Sequence, residues 1–395
     1  MRILQVSKHF PYPARDGYTV AVTCLSKALH RLGAEVHLLS MNTTKHWVET
    51  PEKPDFYAQM DTVRVDNRIT PWGALANLFS RHSYLISRFV TPEFAARLKT
   101  LLTTRHFDII QLESVQLAPY IPLIRQFSKA RVCMRAHNVE HEIWERQRRE
   151  TRSFFKKIYL KSQIAAFRKT EIESLSEYDI LAAITEKDLD FFRRAGFAGR
   201  GVVVPVGMDP EAYAPDWSAY DRGLSLGFIG SLDWMPNQEG IAWFLREVWP
   251  VFSQKYPDIR LEIAGRHAPP HLGKNLPRNV RLRGEVADAR AFMNAHSAMI
   301  VPLFSGSGIR VKILEAMALG RTVISTPVGM EGIAAKHRKE ILTAATRDEF
   351  LKELSFCATR PERILEIGRA ARAFILDRFD NLELARRLLT AYEMP

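Results

Sequence analysis

The chain has 395 residues, 46% hydrophobic and 25% charged, a composition typical of globular proteins with more than one domain. No run approaches the roughly 20 apolar residues of a membrane-spanning helix, and the first residues become polar too soon for a signal peptide, so we expect a cytoplasmic chain. The net charge of +12 predicts an anionic partner, which could be nucleic acid, a phosphorylated small molecule or an acidic membrane.

Short β-rich runs alternate with helix-length segments from the first residue. Six such runs precede a Pro- and Asp-rich stretch at 207–223: residues 2–7, 35–40, 107–113, 131–136, 179–184 and 201–206. Six more follow it: residues 224–230, 259–265, 280–284, 298–303, 322–326 and 340–344. This pattern predicts an α/β fold of two doubly wound parallel sheets whose strand-end loops face each other across a cleft.

Two features of the first half mark a candidate site. Gly17, at the start of the first predicted helix, would allow a ligand to approach the backbone closely, although it could equally serve a plain turn. His137 follows the run 131–136 and would lie at the carboxyl end of a strand, where α/β proteins bind ligands. Glu140 is near enough in sequence to orient its imidazole. A purely structural histidine is the alternative.

Residues 146–169 form a basic stretch with nine basic residues and one acidic residue. Phe154, Phe155, Ile158, Tyr159 and Phe167 recur among them at roughly helical spacing. A helix of this kind could lie on an anionic membrane, or it could pack its apolar side on the core and expose its charges to water.

The sequence FSGSGIRVKILEAMALG, at residues 304–320, follows a predicted strand and opens a helix. Gly306 and Gly308 would let an anion approach the helix start, and Arg310 and Lys312 add positive charge beside it. The stretch therefore predicts a diphosphate site. The alternative is a tight turn followed by a solvated Glu315.

Two other turns of the second half have a similar form. Gly230 and Ser231 follow the run 224–230, with Asn237 as a candidate cap for a helix beginning near residue 238. Arg266 follows the run 259–265. Three such turns at one sheet edge indicate a phosphorylated ligand more strongly than any one of these turns does alone.

Several longer motifs give the chain a family resemblance over essentially its full length. In the first half these are YPARDGYTV, RAHNVE, AAITEKDLDFF and VVPVGMDPEAY. In the second half they are GFIGSLDWMPNQEGIAWFLREVWP, LEIAGR, VRLRGEVAD and VPLFSGSGIRVKILEAMALGRTVISTPVGMEGI. The chain resembles GT-B-fold glycosyltransferases of family 4, which are retaining and depend on nucleotide sugars. Of the family's two glutamates separated by seven residues, Glu315 matches the second, whereas the first position is Ser307. The segment GSGIRVK, which carries this departure, is similar to that of a subgroup linked with bacterial exopolysaccharide assembly.

The resemblance implies a role for each candidate residue. Glu315 would accept hydrogen bonds from the ribose hydroxyls, the backbone N–H groups of Gly308 and Ile309 would hold the diphosphate or sugar, and His137 would lie in the acceptor-side pocket. Arg266, Arg310 and Lys312 would neutralise the diphosphate as it leaves, and the backbone near Gly284 and Val286 would contact the base. The other ligand-binding candidates are Gly17 in the first half and Gly230, Ser231 and Ser307 in the second. Lys312 is expected to supply the charge of a family lysine that is missing from the loop after the first strand of the second half.

The break at 207–223 sets the domain boundary, and the resemblance implies the role of each domain and the course of the last helix. Residues 1–206 would form an acceptor-side Rossmann-like domain, residues 207–377 would bind the nucleotide sugar, and a last helix at about 378–395 would cross back. The sequence thus predicts a cytoplasmic glycosyltransferase, with peripheral attachment to the inner face of the membrane as a further hypothesis. Its acceptor would be a glycan or a lipid-linked sugar.

No Asp-x-Asp motif lies at a predicted strand end, so we expect no metal or other cofactor. Two rival functions stay open. A nucleotide-sugar 2-epimerase of the same fold would need acid and base carboxylates at the cleft. A basic nucleic-acid-binding protein would use the net charge, but no recognised motif of that class occurs, and we expect no nucleic-acid partner.

Overall fold

The structure is a computed structural model that describes residues 1–14, 16–70, 73, 77, 83–151, 153–269, 272–273, 276–306 and 308–394. The chain divides into two compact units. Unit 1 comprises Met1–Gly207 together with Asn381–Pro395, and unit 2 comprises Met208–Asp380. Each is built around one parallel sheet.

The sheet of unit 1 has seven parallel strands in the order β3-β2-β1-β4-β5-β6-β7. They are β1 (Arg2–Ser7), β2 (Glu35–Thr43), β3 (Gln59–Val65), β4 (Ile109–Leu112), β5 (Arg131–Ala136), β6 (Ile180–Ala183) and β7 (Arg200–Val203). Successive residues of β1 enter different cores, since Ile3 belongs to the cluster on one face and Leu4 to the cluster on the other. Both faces are therefore covered, as the uninterrupted apolar runs predict.

Strand β3 was not predicted from the sequence. Four of its seven residues, QMDTVRV, are polar, and most of its side chains are only partly buried. It lies at the edge of the sheet, where one neighbour is missing and burial is incomplete. The other six strands all overlap predicted runs.

In the part of unit 1 before residue 208, seven described α-helices connect or follow these strands. They are α1 (Gly17–Arg31), α2 (Tyr84–Ser87), α3 (Pro92–Thr104), α4 (Ile121–Phe127), α5 (Glu140–Glu150), α6 (Phe154–Glu173) and α7 (Glu186–Arg194). Helix α1 begins at Gly17 behind a capping box, in which Asp16 Oδ1 accepts from the Thr19 N–H over 2.9 Å.

The sheet of unit 2 has six parallel strands in the order β10-β9-β8-β11-β12-β13. They are β8 (Leu226–Ile229), β9 (Leu261–Ala264), β10 (Val280–Gly284), β11 (Ala298–Val301), β12 (Thr322–Ser325) and β13 (Leu342–Thr343). All six lie within predicted runs. The fold class expected from the sequence, with two doubly wound α/β units, is confirmed.

The helices of unit 2 are α8 (Ser218–Asp221), α9 (Met235–Trp243), α10 (Trp249–Lys255), α11 (Ala289–Asn294), α12 (Val311–Ala318), α13 (Arg347–Thr359) and α14 (Pro361–Arg378). A π-helical segment, Phe244–Val248, joins α9 to α10. Helix α12 ends before Gly320, whose φ of +70° is the left-handed conformation expected of a residue that ends a helix.

The last helix, α15 (Asn381–Glu393), belongs to unit 1. It packs against α1, and its Leu384, Leu388 and Tyr392 are buried in the same cluster as Leu25 and Leu29. Residues from the two ends of the chain thus form one core.

The strand orders identify where each sheet should bind a ligand. In unit 1 the chain reverses its direction of winding between β1 and β4, and in unit 2 between β8 and β11. Loops at the carboxyl ends of such a strand pair diverge and leave a crevice, the usual ligand position in open α/β sheets. The loops after β8 and β11, together with helix α12, carry most of the donor-side residues predicted from the sequence.

Candidate functional site

The loop between β11 and α12 has the backbone that its glycines predict. Gly306 and Gly308 have φ of +109° and +78°, in the left-handed region that favours glycine. Arg310 is the N-cap residue of α12, is buried, and donates from Nη1 to the Gly308 carbonyl over 2.7 Å. Its guanidinium lies 5.8 Å from the centre of the Trp234 ring. Ser307 lies outside the described residues.

Lys312, in the first turn of α12, reaches the loop that follows β8. Its Nζ donates to Asn237 Oδ1 over 2.7 Å and to the Ile229 carbonyl over 3.2 Å, and lies 4.7 Å from the centre of the Phe228 ring. Burial, with a smaller contribution from Arg310, lowers the pKa of Lys312 to about 7. The ammonium therefore lies against the end of β8 and the first turn of α9, and its charge is sensitive to a nearby anion.

Asn237 does not cap a helix, and that prediction was wrong. Helix α9 begins at Met235, so Asn237 lies in its first turn. Its amide donates to the Ser231 carbonyl over 2.8 Å and accepts from Lys312. Asn237 thus holds the lysine against the loop, a role that only the fold reveals.

Gly230 leaves room for these two side chains. A Cβ atom at this position would lie 2.7 Å from Asn237 Nδ2 and 2.9 Å from Lys312 Nζ. In the same loop Ser231 Oγ accepts from Arg266 Nε over 3.1 Å, so the turns after β8 and β9 meet. The structure therefore brings Gly230, Ser231, Arg266 and Lys312 together at one sheet edge.

Glu315 lies one turn after Lys312 on α12. Its Oε1 accepts a hydrogen bond from the Tyr213 hydroxyl over 2.9 Å. Burial raises the pKa of Glu315, and the bond from Tyr213 opposes that shift. Glu315 is therefore not the solvated surface charge of the alternative interpretation.

Of the remaining candidates, Gly17 is the first residue of α1 in unit 1, whereas Ile309, Gly284 and Val286 belong to unit 2. Ile309 is partly buried and immediately precedes Arg310. Gly284 has a φ of +69°, and its carbonyl accepts from the Gly265 N–H over 2.7 Å. Val286 is partly buried two residues later. Gly284 thus links the loop of Val286 to the turn that carries Arg266.

In unit 1, His137 lies at the carboxyl end of β5, as predicted, but its carboxylate partner is Glu113. His137 Nε2 lies 2.9 Å from Glu113 Oε2. Glu140, which we expected to orient the imidazole, is instead 3.6 Å from Lys8 Nζ. Glu113 follows β4, at the point where the winding of the sheet reverses. Sequence reasoning missed it, although a carboxylate directly after a buried strand was a usable signal.

The charges of this pair define the tautomer of His137. Burial alone would raise the pKa of Glu113, but Arg135, 3.7 Å away, and the bonds from His137 and Gln5 hold it below its ordinary value. Burial lowers the pKa of His137. A carboxylate only accepts, so the neutral imidazole carries its proton on Nε2 and keeps its lone pair on Nδ1.

His9, Asp16 and His46, near the start of α1, have the side chains of a metal site. Their ligand atoms lie within 4.8 Å of one another, and His9 is buried. However, the two imidazole rings stack with centres 4.2 Å apart and planes only 11° apart. A metal lies in the plane of each imidazole that binds it, and nearly parallel stacked rings share no such position. We therefore assign no metal to this cluster.

The basic stretch divides into two parts. Leu160, Ile164 and Phe167 are buried on one side of α6, as the core-packing alternative requires. At the start of α6, Phe154 and Phe155 are 69% and 83% exposed, and Ile158 in the next turn is 55% exposed. Together with Lys156, Lys157 and Lys161 these residues form a basic aromatic surface. Among the described helices, none is both long and apolar enough to cross a membrane.

Two family models match the chain. A model described as a glycosyl transferase 4-like domain matches residues 16–207, and one described as glycosyl transferases group 1 matches residues 223–359. The chain belongs to the glycosyltransferase 4-like family. This enzyme is 23% identical over 397 residues to an uncharacterized 44.6 kDa protein in the cps region of Klebsiella pneumoniae, with 96% of this chain and 97% of that protein covered.

Solved structures of low sequence identity share the fold of this glycosyltransferase. Sucrose-phosphate synthase from Thermosynechococcus elongatus superposes with a TM-score of 0.73 at 15% identity, covering 99% of this chain and 98% of that one. Anabaena HepE in complex with UDP-glucose gives 0.63 at 14% identity, with the same coverage. An E. coli trehalose-6-phosphate protein bound with UDP-2-fluoro glucose gives 0.63 at 14%, covering both chains fully. The expected GT-B fold is thereby confirmed.

Proposed function

We propose that this glycosyltransferase moves a sugar from a nucleotide diphosphate sugar to a glycan or lipid-linked acceptor, with retention at the anomeric carbon. One observation carries the proposal: a single helix, α12, presents Lys312 and Glu315 one turn apart, next to the glycine-rich loop that precedes it. A cation and a half-buried hydrogen-bond acceptor at that spacing suit the diphosphate and the ribose of one ligand.

In this proposal the donor binds to unit 2. The diphosphate lies against Lys312, Arg310 and the N–H groups of Gly308 and Ile309, and Glu315 accepts from the ribose hydroxyls. The base lies near Gly284 and Val286. The ligands named for HepE and for the E. coli protein, UDP-glucose and UDP-2-fluoro glucose, support a donor of this chemical class.

The transfer reaction mainly requires that the departing diphosphate be stabilised. Negative charge grows on it as its bond to the sugar breaks, and fixed cations placed there lower the barrier most. Arg266, Arg310 and Lys312 can supply that charge without a metal. In unit 1, the lone pair on His137 Nδ1 is suited to accept a hydrogen bond from a sugar hydroxyl of the acceptor side.

The donor is tested by thermal shift with UDP-, GDP-, ADP- and TDP-sugars, because a bound ligand stabilises the folded state by mass action. The donor that stabilises is then incubated alone and with candidate acceptors. Transfer of the sugar to an acceptor, with the anomeric configuration of the donor retained in the product, supports the proposal. A changed sugar in the reaction without acceptor would instead indicate a 2-epimerase, and no stabilisation by any nucleotide sugar would contradict the donor site.

We further propose that the product is a bacterial cell-surface polysaccharide. The full-length similarity to a protein of a cps region supports this assignment. A strain lacking the gene should lose or truncate its surface glycan, and the gene with Lys312→Met should fail to restore it. Restoration by this variant would contradict the assignment or the role of Lys312, and transfer assays on the purified variant separate these outcomes.

We also propose that the basic aromatic surface attaches the enzyme to anionic membranes. Exposed aromatic rings flanked by lysines suit insertion at a negatively charged bilayer surface. Co-sedimentation with liposomes should rise with anionic lipid and fall with salt. Phe155→Glu should weaken it, whereas Ile69→Glu, at an exposed position of unit 1 outside this surface, should not. Equal recovery with neutral and anionic liposomes would contradict the proposal.

A further inference from the structure

A hydrogen-bond network in unit 1 converges on Glu113, and the side chains of Glu113, Gln5 and Gln111 are fully buried. Gln5 Nε2 donates to Glu113 Oε1 over 2.6 Å, and Gln111 Nε2 donates to the same oxygen. The other oxygen, Oε2, accepts from His137. Because the two amides share Oε1, the carboxylate is fixed with Oε2 toward the imidazole.

Hydroxyl groups orient both glutamines. Gln5 Oε1 accepts from Ser26 Oγ over 2.7 Å and from the Tyr57 hydroxyl over 3.0 Å. Gln111 Oε1 accepts from the hydroxyl of Tyr392, in the C-terminal helix α15. Burial raises the pKa values of both tyrosines, so they remain protonated donors. Because each hydroxyl donates to the amide oxygen of its glutamine, the NH₂ group of that amide is turned toward Glu113.

We infer that Tyr392 is a positioning residue for His137, acting through Gln111 and Glu113 from the last helix of the chain. The inference rests on the proposed role of His137 in transfer. Without the Tyr392 hydroxyl the Gln111 amide is free to turn, and Glu113 loses a donor or faces a carbonyl oxygen. A carboxylate with fewer donors attracts the proton of His137 more strongly.

This attraction stabilises the imidazolium, so removal of the hydroxyl should raise the pKa of His137. The active form in our proposal is the neutral imidazole, with its lone pair on Nδ1. Transfer is then lost as the pH falls through this pKa, and a higher pKa moves the acidic limb of the pH profile upward. The loss of one hydrogen bond corresponds to about half to one pH unit.

The test is NMR titration of histidine-labelled protein, with the His137 signal assigned by its loss in His137→Ala. In Tyr392→Phe the pKa of His137 should rise by about half to one unit. Tyr120→Phe is the matched control, because Tyr120 is a buried tyrosine of the same unit whose hydroxyl bonds to Phe89 and Thr91 and not to a residue of the Glu113 network. It should leave the pKa unchanged. Gln111→Met breaks the same link and should give the same rise should Tyr392→Phe fail to fold.

A pH profile of transfer from pH 5 to 9 separates this inference from the proposed function. The acidic limb should move in Tyr392→Phe by the amount seen by NMR and stay in place in Tyr120→Phe. An unchanged His137 pKa in folded Tyr392→Phe and Gln111→Met would overturn the inference. A raised pKa with an unmoved profile would support the network and overturn the role proposed for His137.

Discussion

Donor binding should draw a proton onto Lys312. Burial and Arg310 both disfavour its charged form and lower its pKa to about 7. A diphosphate beside Nζ favours that form, so the pKa should return toward its ordinary value near 10. Uptake should then be about 0.1 proton at pH 6, about 0.5 at pH 7 and about 0.9 at pH 8. Since binding is coupled to protonation, affinity should fall about tenfold, or about 1.4 kcal/mol, from pH 6 to pH 8.

The assay is calorimetric titration in two buffers that differ in ionisation enthalpy. The probe is an intact nucleotide sugar, because the free terminal phosphate of a nucleoside diphosphate titrates near pH 6 and would add its own proton. Lys312→Met should abolish the uptake and flatten the pH dependence. Lys352→Met, at an exposed position of α13, is the control and should bind like wild type. Binding without proton uptake, or uptake that persists in Lys312→Met, would refute the reasoning.

Three further outcomes follow from the site. Glu315→Ala should weaken donor binding by roughly 1.5–3 kcal/mol, the range for hydrogen bonds to charged groups, and wild-type affinity by calorimetry in the folded variant would contradict its contact with the ribose. His137→Ala should slow transfer roughly 10²-fold or more while nucleotide affinity stays unchanged, and an equal loss of both would place it elsewhere. Transfer rates should be the same with excess EDTA, and an activity that EDTA removes and only Mg²⁺ or Mn²⁺ restores would show that the three cations are insufficient.

Local sequence patterns predicted most of the architecture for a physical reason. A strand covered on both faces must be apolar throughout, so its signal is continuous and needs no knowledge of its neighbours. Strand β3 lacks that signal because an edge position tolerates polar side chains. The candidate residues that adjoin strand ends were predictable in the same way, since parallel strands place all their carboxyl ends at one edge.

Pairings between side chains were harder to predict. Glu140 was chosen as the partner of His137 for its nearness in sequence, whereas Glu113 reaches it because β4 and β5 are adjacent strands. Asn237 suggested a cap because of its residue type, yet its position within α9 turns it toward Lys312. Such contacts depend on strand order and on the exact helix start, and neither is encoded by local spacing.

The return of α15 to unit 1 has a consequence for biosynthesis. During synthesis, residues 1–207 emerge from the ribosome long before Asn381–Glu393. Until that helix emerges, Leu25 and Leu29 of unit 1 lack their packing partners Leu384 and Leu388. Unit 2 is one uninterrupted segment and emerges complete before that helix. Unit 2 can therefore finish folding first, against the usual order from the amino terminus. A premature stop codon at position 381 would expose the beginning of the protein, rather than its end, to chaperones and proteases.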